Sequence, residues 1–109
     1  MKLPKWLKIG GHEVRVLYPH HFRQNSDLCG QADYGLNEIR VAELDLCGEK
    51  RSDSSIETTF LHEVIHWVGH VYHGEKSLDE QLVCALAQGL HQVLKDNKIK
   101  FYDHIDQEE

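Results

Sequence analysis

The spacing of apolar residues along this chain changes near residue 55. Before it, apolar and polar residues alternate over short stretches, and after it apolar residues recur every three to four positions. Leu7 and Ile9, then Val14 and Val16, flank the pair Gly10-Gly11, which predicts a hairpin over residues 7–18. Residues 19–30 carry Pro19, Asn25, Ser26, Asp27 and Gly30 and predict a loop. Residues 31–36, with Ala32, Tyr34 and Gly35, predict a short strand, and Ile39-Arg40-Val41 a clearer one. A polar loop over 45–55 ends in Ser52-Asp53-Ser54-Ser55, a helix start signal with Glu57 in the first turn. That helix is expected from about Ile56 to Tyr72, with Gly74 as its stop. Ser77-Leu78-Asp79-Glu80 has the form of a capping box and opens a second helix, ending near Asp96-Asn97. Its apolar positions are Leu82, Val83, Leu86, Leu90, Val93 and Leu94. Trp6 and Trp67 read as core residues, and residues 98–109 as a charged tail. The sum is one small α+β domain over residues 1–109: a short antiparallel sheet of three or four strands, then an antiparallel helix pair.

Charged residues make up 28% of the 109 positions and apolar ones 40%, the balance of a globular chain. A formal net charge of -6 argues against nucleic-acid binding, which needs a basic footprint. No apolar run approaches the length of a membrane span, and no signal core follows Met1-Lys2-Leu3-Pro4-Lys5, so a cytoplasmic location is expected. Cys29, Cys47 and Cys84 are odd in number, widely spaced and form no Cys-x-x-Cys pair. They read as reduced thiols, with packing a more natural role than zinc ligation.

Candidate chemistry concentrates in His62-Glu63-Val64-Ile65-His66, a His-Glu-x-x-His motif inside the first predicted helix. Residues four apart lie on one helix face, about 5–6 Å apart at Cβ. Two imidazoles at that spacing can close on one Zn²⁺, and Glu63, one position after the first, can take a proton from water activated by the metal. Positions 64, 65, 67 and 68 are uncharged, so the helix buries apolar surface around most of its girth and its polar groups need partners. The competing reading is a pair of surface histidines on an ordinary core helix.

Catalytic zinc takes a third protein ligand. His70 extends the His62–His66 face, but lies about 12 Å along the axis from His62, too far for one ion. The pattern His-Glu-x-x-His-x-x-Gly-x-x-His would match Gly69 but places its last histidine at Tyr72, and His73 comes one residue late. Glu80 is the stronger candidate. A short connection after Gly74 makes the helices antiparallel and sets the first turn of the second beside His66. Asp79, one residue away, competes with it, and capping is the alternative role for Glu80.

The run Thr59-Phe60-Leu61-His62-Glu63-Val64-Ile65-His66-Trp67-Val68 resembles the extended zincin consensus. With Asp79-Glu80, Val83, Ala85 to Leu90 and Val93 to Asn97, the stretch 56–97 is similar to small phage and prophage metallopeptidase-like proteins, distantly akin to ImmA/IrrE-type zinc peptidases. The resemblance implies a minimal gluzincin-like fold, a short sheet whose edge strand holds an extended peptide above a two-helix metal site. It implies His62, His66 and Glu80 as zinc ligands, Glu63 as general base, and a peptide or protein as substrate. Tyr72, His73, His70 and Tyr34 are candidate donors to the oxyanion, and residues 31–41 are a candidate edge for the peptide. Two further readings stay open: a metal-binding regulatory module without peptidase activity, and a zinc hydrolase acting on RNA. Against the second, Tyr72 fills the last position of its His-x-x-x-His-x-x-x-x-x-His pattern.

Overall fold

A computed structural model describes residues 3–23, 27–74 and 78–99. The order of elements is β1 (Trp6–Ile9), β2 (His12–His20), β3 (Gly30–Asp33), β4 (Glu38–Ala42), α1 (Asp53–Val68) and α2 (Glu80–Asn97). A π-type extension, Gly69–His73, continues α1. The chain is α+β, as its two periodicities predict.

The hairpin forms where the Gly-Gly pair predicts it. Ile9 pairs with His12, and Gly10 takes φ 60°, a conformation that suits glycine. The turn also packs tightly, since a Cβ on Gly10 would lie 2.6 Å from Val71 Cγ1 in the π-type extension. Leu7 and Ile9 face inward, so the alternation of the strand turns Trp6 and Lys8 outward. Trp6 is 60% exposed and is not a core residue, contrary to expectation.

The sheet order is β1-β2-β4-β3. It corrects the expectation of an all-antiparallel sheet, because β2 and β4 run parallel, with Val16 opposite Ile39. The chain leaving β2 passes the position β4 will fill and lays down β3 first. The turn after β3, with Asn37 at φ 55° and Asp33 Oδ1 accepting from the Leu36 N–H at 3.0 Å, then folds β4 back between β2 and β3. The outcome leaves β3 at a sheet edge.

One layer of helix covers one face of the sheet. Ile9, Val14, Ile39, Val41, Ile56 and Trp67 form the core, and Trp67 is fully buried with its indole N–H donating to Glu38 O at 3.1 Å. α1 packs on β3 and β4, and α2 packs on α1 through Val83 and Ala87. α1 starts one turn earlier than the apolar pattern suggests, because Ser52 Oγ accepts from the Ser55 N–H and caps it. Gly74, at φ 98°, ends the π-type extension. α2 is capped by Asp79, whose Oδ2 accepts from the Leu82 N–H at 3.2 Å. Ser77, the expected cap, lies outside the described residues. Glu80 is thus the first residue of α2, not the glutamate of a capping box. Among the described residues no helix is long and apolar enough to cross a membrane.

Candidate metal centre

His62 and His66 sit one turn apart on α1, and their Nε2 atoms approach to 3.2 Å. Glu80 reaches them from the first turn of α2. Its Oε1 lies 2.5 Å from His62 Nε2 and its Oε2 3.1 Å from His66 Nε2. Two imidazole nitrogens and a carboxylate thus converge on one point. If both nitrogens carried lone pairs, three sets of lone pairs would face one another. Only protons on the nitrogens or a cation between the groups relieves that repulsion.

Two imidazoles and a carboxylate are donors that can hold a metal ion. Tetrahedral arms of about 2.0–2.1 Å give donor separations of about 3.3 Å. The nitrogen–nitrogen distance of 3.2 Å and the His66–Glu80 distance of 3.1 Å come close to that edge, while the His62–Glu80 distance of 2.5 Å is shorter than it. Cys84 stands one turn after Glu80, with Sγ 3.8 Å from His62 Nδ1. His62, Glu80 and Cys84 each offer one ligand atom within 4.8 Å of the others. We take His66 rather than Cys84 as the closer companion of His62 and Glu80. Cys84 faces the ring nitrogen of His62 that points away from the convergence.

Glu63 is only 7% exposed. Burial, and secondly the charge of Glu80, push its carboxyl up to about 7. It borders a cleft of about 650 Å³ that also takes in His62, Glu80, Cys84, Gly30 and Thr59. The roof of the cleft is the start of β3. A Cβ on Gly30 would lie 2.5 Å from Thr59 Cγ2 and 2.7 Å from Glu63 Oε2, so only glycine lets the strand come this close. Arg51 pins this wall. Its guanidinium donates to Cys29 O at 3.4 Å, Ala42 O at 2.8 Å, Ser55 Oγ at 3.0 Å and Thr59 Oγ1 at 2.5 Å.

The remaining candidates fall as follows. Asp79 caps α2. His73 is exposed in the last turn of the π-type extension. His70 stacks on Tyr34, with ring centroids 3.9 Å apart and planes 6° apart. Tyr72 is 71% exposed, and a Cβ on Gly10 would lie 3.7 Å from its hydroxyl, out at the hairpin turn. Tyr34 donates its hydroxyl to His66 O at 3.2 Å. Burial raises its phenol above the usual range, and Glu63 and Glu80 raise it further. The fold therefore brings Tyr34 into the electrostatic reach of the site.

Sequence reading missed Gly30, Arg51 and the position of Cys84. One signal was present. Arg51, Ser55, Thr59, Glu63 and His66 form a polar row at helical spacing along α1 and its approach. A row of that kind on a helix that packs against a sheet marks a face lining something other than core.

Comparison of the chain with models of protein families, with curated proteins and with solved structures gives no match.

Proposed function

We propose that the protein is a zinc-dependent peptidase, with His62, His66 and Glu80 as metal ligands and Glu63 as general base. The observation that carries this reading is the convergence of three donors, two of them from a His-Glu-x-x-His turn, beside a buried glutamate at the rim of a cleft. Zinc in that position supplies a Lewis acid that polarises a carbonyl and acidifies water. Glu63 removes the proton from the attacking water and returns it to the departing amine. A carboxyl raised toward neutrality suits both transfers. An extended peptide lies along the outer side of β3, an edge strand of the sheet and the one that borders the cleft, with its scissile bond over Glu63. Tyr34, held protonated by its surroundings, serves as donor to the oxyanion once its hydroxyl leaves His66 O. The exposed and unbridged thiols of Cys29, Cys47 and Cys84 suit a reducing, cytoplasmic setting.

A second reading has its own observation. His62, Glu80 and Cys84 each offer a ligand atom within 4.8 Å of the others, and a metal held by that trio, away from the His62–His66 convergence, would make the protein a metal-binding module. One experiment separates the two. The zinc-loaded protein and its Glu63→Gln variant are assayed against a library of unstructured peptides. The peptidase reading expects cleavage by the wild type and a loss of at least about 100-fold in the variant, with zinc retained in both. A wild type that cleaves nothing, and that loses its zinc in Cys84→Ser, would favour the module.

A further inference from the structure

Arg51 carries a charge that the fold does not neutralise. Its guanidinium donates to the carbonyl oxygens of Cys29, Ala42 and Ser55 and to the hydroxyls of Ser55 and Thr59, all neutral acceptors. Among the described residues no carboxylate forms an ion pair with it, Asp27 on the same cleft included. The other acids nearby are engaged elsewhere: Asp53 with Lys50 at 3.5 Å, Glu57 with His91 and Lys95, and Glu80 with the imidazoles. Arg40, which is partly buried like Arg51, makes the contrast. It meets Asp33 at 2.9 Å and Glu38 at 2.5 Å. A partly buried cation without a counter-ion attracts one, and Arg51 lines the cleft beside Glu63.

The cleft has a direction. Cys29 Sγ lies 3.9 Å from Thr59 Oγ1, a Cβ on Gly30 would touch Thr59 and Glu63, and Tyr34 donates to His66 O. Strand β3 therefore runs the same way as α1. A peptide added antiparallel to β3, the commoner pairing, runs the other way. Its carboxyl-terminal half then points toward Thr59 and Arg51. On that side the cleft is lined by Thr59 and Ser55 of α1 and by Cys84 and Gln88 of α2, about 12 Å along either helix. Thr59, bonded to Arg51, stands one turn or about 6 Å before Glu63. Extended chain covers that distance in about two residues. Ser55 Oγ and Thr59 Oγ1 each accept from the guanidinium, which leaves their own O–H groups to donate to a ligand.

We propose that Arg51, with Ser55 and Thr59, binds a carboxylate of the substrate about two residues to the carboxyl-terminal side of the scissile bond. The proposal rests on the peptidase reading and names its substrate class: peptides that are acidic at that position, or that end there and lose a short carboxyl-terminal piece. A side chain and a chain terminus present the same planar anion, the shape a guanidinium recognises.

The test uses N-acetylated alanine tetrapeptides in matched pairs. One pair ends in Asp or Asn with an amidated terminus, and the other is all alanine with a free or amidated terminus. Binding is followed by nuclear magnetic resonance titration of Glu63→Gln with equimolar zinc, so that affinity is read apart from cleavage. A carboxylate probe should bind about 10-fold or more tightly than its amide partner, and the pair that shows this identifies the source of the carboxylate. Adding Arg51→Gln should erase the ratio. Arg51→Lys, which keeps the charge and loses the fork, should keep part of it. A carboxylate bound to the metal instead would keep its advantage in Arg51→Gln, which would overturn the proposal. So would complete loss of the ratio in Arg51→Lys, the mark of a merely structural arginine, or equal binding of carboxylate and amide before Arg51 is changed. Cleavage of the same probes by the wild type is scored separately. Cleavage without carboxylate preference leaves the peptidase reading standing and removes this role of Arg51. An Arg51-dependent preference in binding, with no cleavage, removes the peptidase reading and leaves the carboxylate site.

Discussion

Leu78 lies directly over Gly69. A Cβ on Gly69 would sit 2.7 Å from Leu78 Cδ1 and 2.8 Å from its Cγ. This contact fixes the angle at which the chain returns from the end of α1 to the start of α2. Two residues after Leu78, Glu80 meets the imidazoles of His62 and His66. Gly69 thus matters for approach and not as part of a third-histidine motif.

Gly69→Ala should therefore damage the metal site from a distance. The added methyl meets a branched side chain at a separation that real atoms do not adopt, so Leu78 and the first turn of α2 must shift. We expect a stability loss of about 1–3 kcal/mol and a fall in zinc affinity of about 10–100-fold. Thermal unfolding with and without zinc, and competition against a chelator, check both. Unchanged zinc affinity would mean that the Gly69–Leu78 contact does not set the position of Glu80.

Gly30→Ala acts on the other wall of the cleft. Its methyl would press on Glu63 Oε2 and Thr59 Cγ2, and no imidazole atom is among its three nearest neighbours. Peptidase activity should fall by about 10-fold or more, since a misplacement of about 1 Å at a reacting group costs on the order of 100-fold. Zinc stoichiometry should stay at the wild-type value. Loss of zinc in this variant would show that the two walls are not independent.

The far end of the helix pair supplies a pH dependence. Glu57 accepts from His91 Nε2–H at 2.7 Å and from Lys95 Nζ at 3.1 Å, and these bonds hold its carboxyl below the usual range, His91 contributing most. A lowered folded-state value stabilises the fold above the unfolded value, near 4.5, and that stability is lost as pH falls through the folded value. Glu57 is partly exposed, so the gain is roughly 0.5–1 kcal/mol. Glu57→Gln should lower the melting temperature at pH 7, and the difference should shrink as pH falls below 4.5. Equal melting temperatures for the two proteins at pH 7 would remove this contribution.

The parts of the site carried by local spacing were legible in the sequence. His62 and His66 fall on one face because they are four apart, and Glu80 follows from a short link between helices. The parts built by distant segments were not. Nothing near Gly30 says that it will sit on Glu63, 33 positions later, because that contact depends on β4 inserting between β2 and β3. The same parallel pairing escaped the alternation pattern, which reports which face a residue takes and not which strand lies beside it. Arg51 read as part of a polar loop because several of its acceptors are backbone carbonyls, which carry no sequence signature. Trp6 read as core from its size, whereas the strand's alternation with Leu7 and Ile9 decides its side.

The central claim is that His62, His66 and Glu80 hold one zinc ion. The direct measurement is zinc bound per chain after dialysis against a weak chelator, for the wild type and for Glu80→Ala, Asp79→Ala and His73→Ala. The account predicts one zinc per chain in the wild type, in Asp79→Ala and in His73→Ala, with a loss on the order of 10–100-fold in affinity or more for Glu80→Ala. Release of the metal by His73→Ala, with Glu80→Ala still fully loaded, would contradict it.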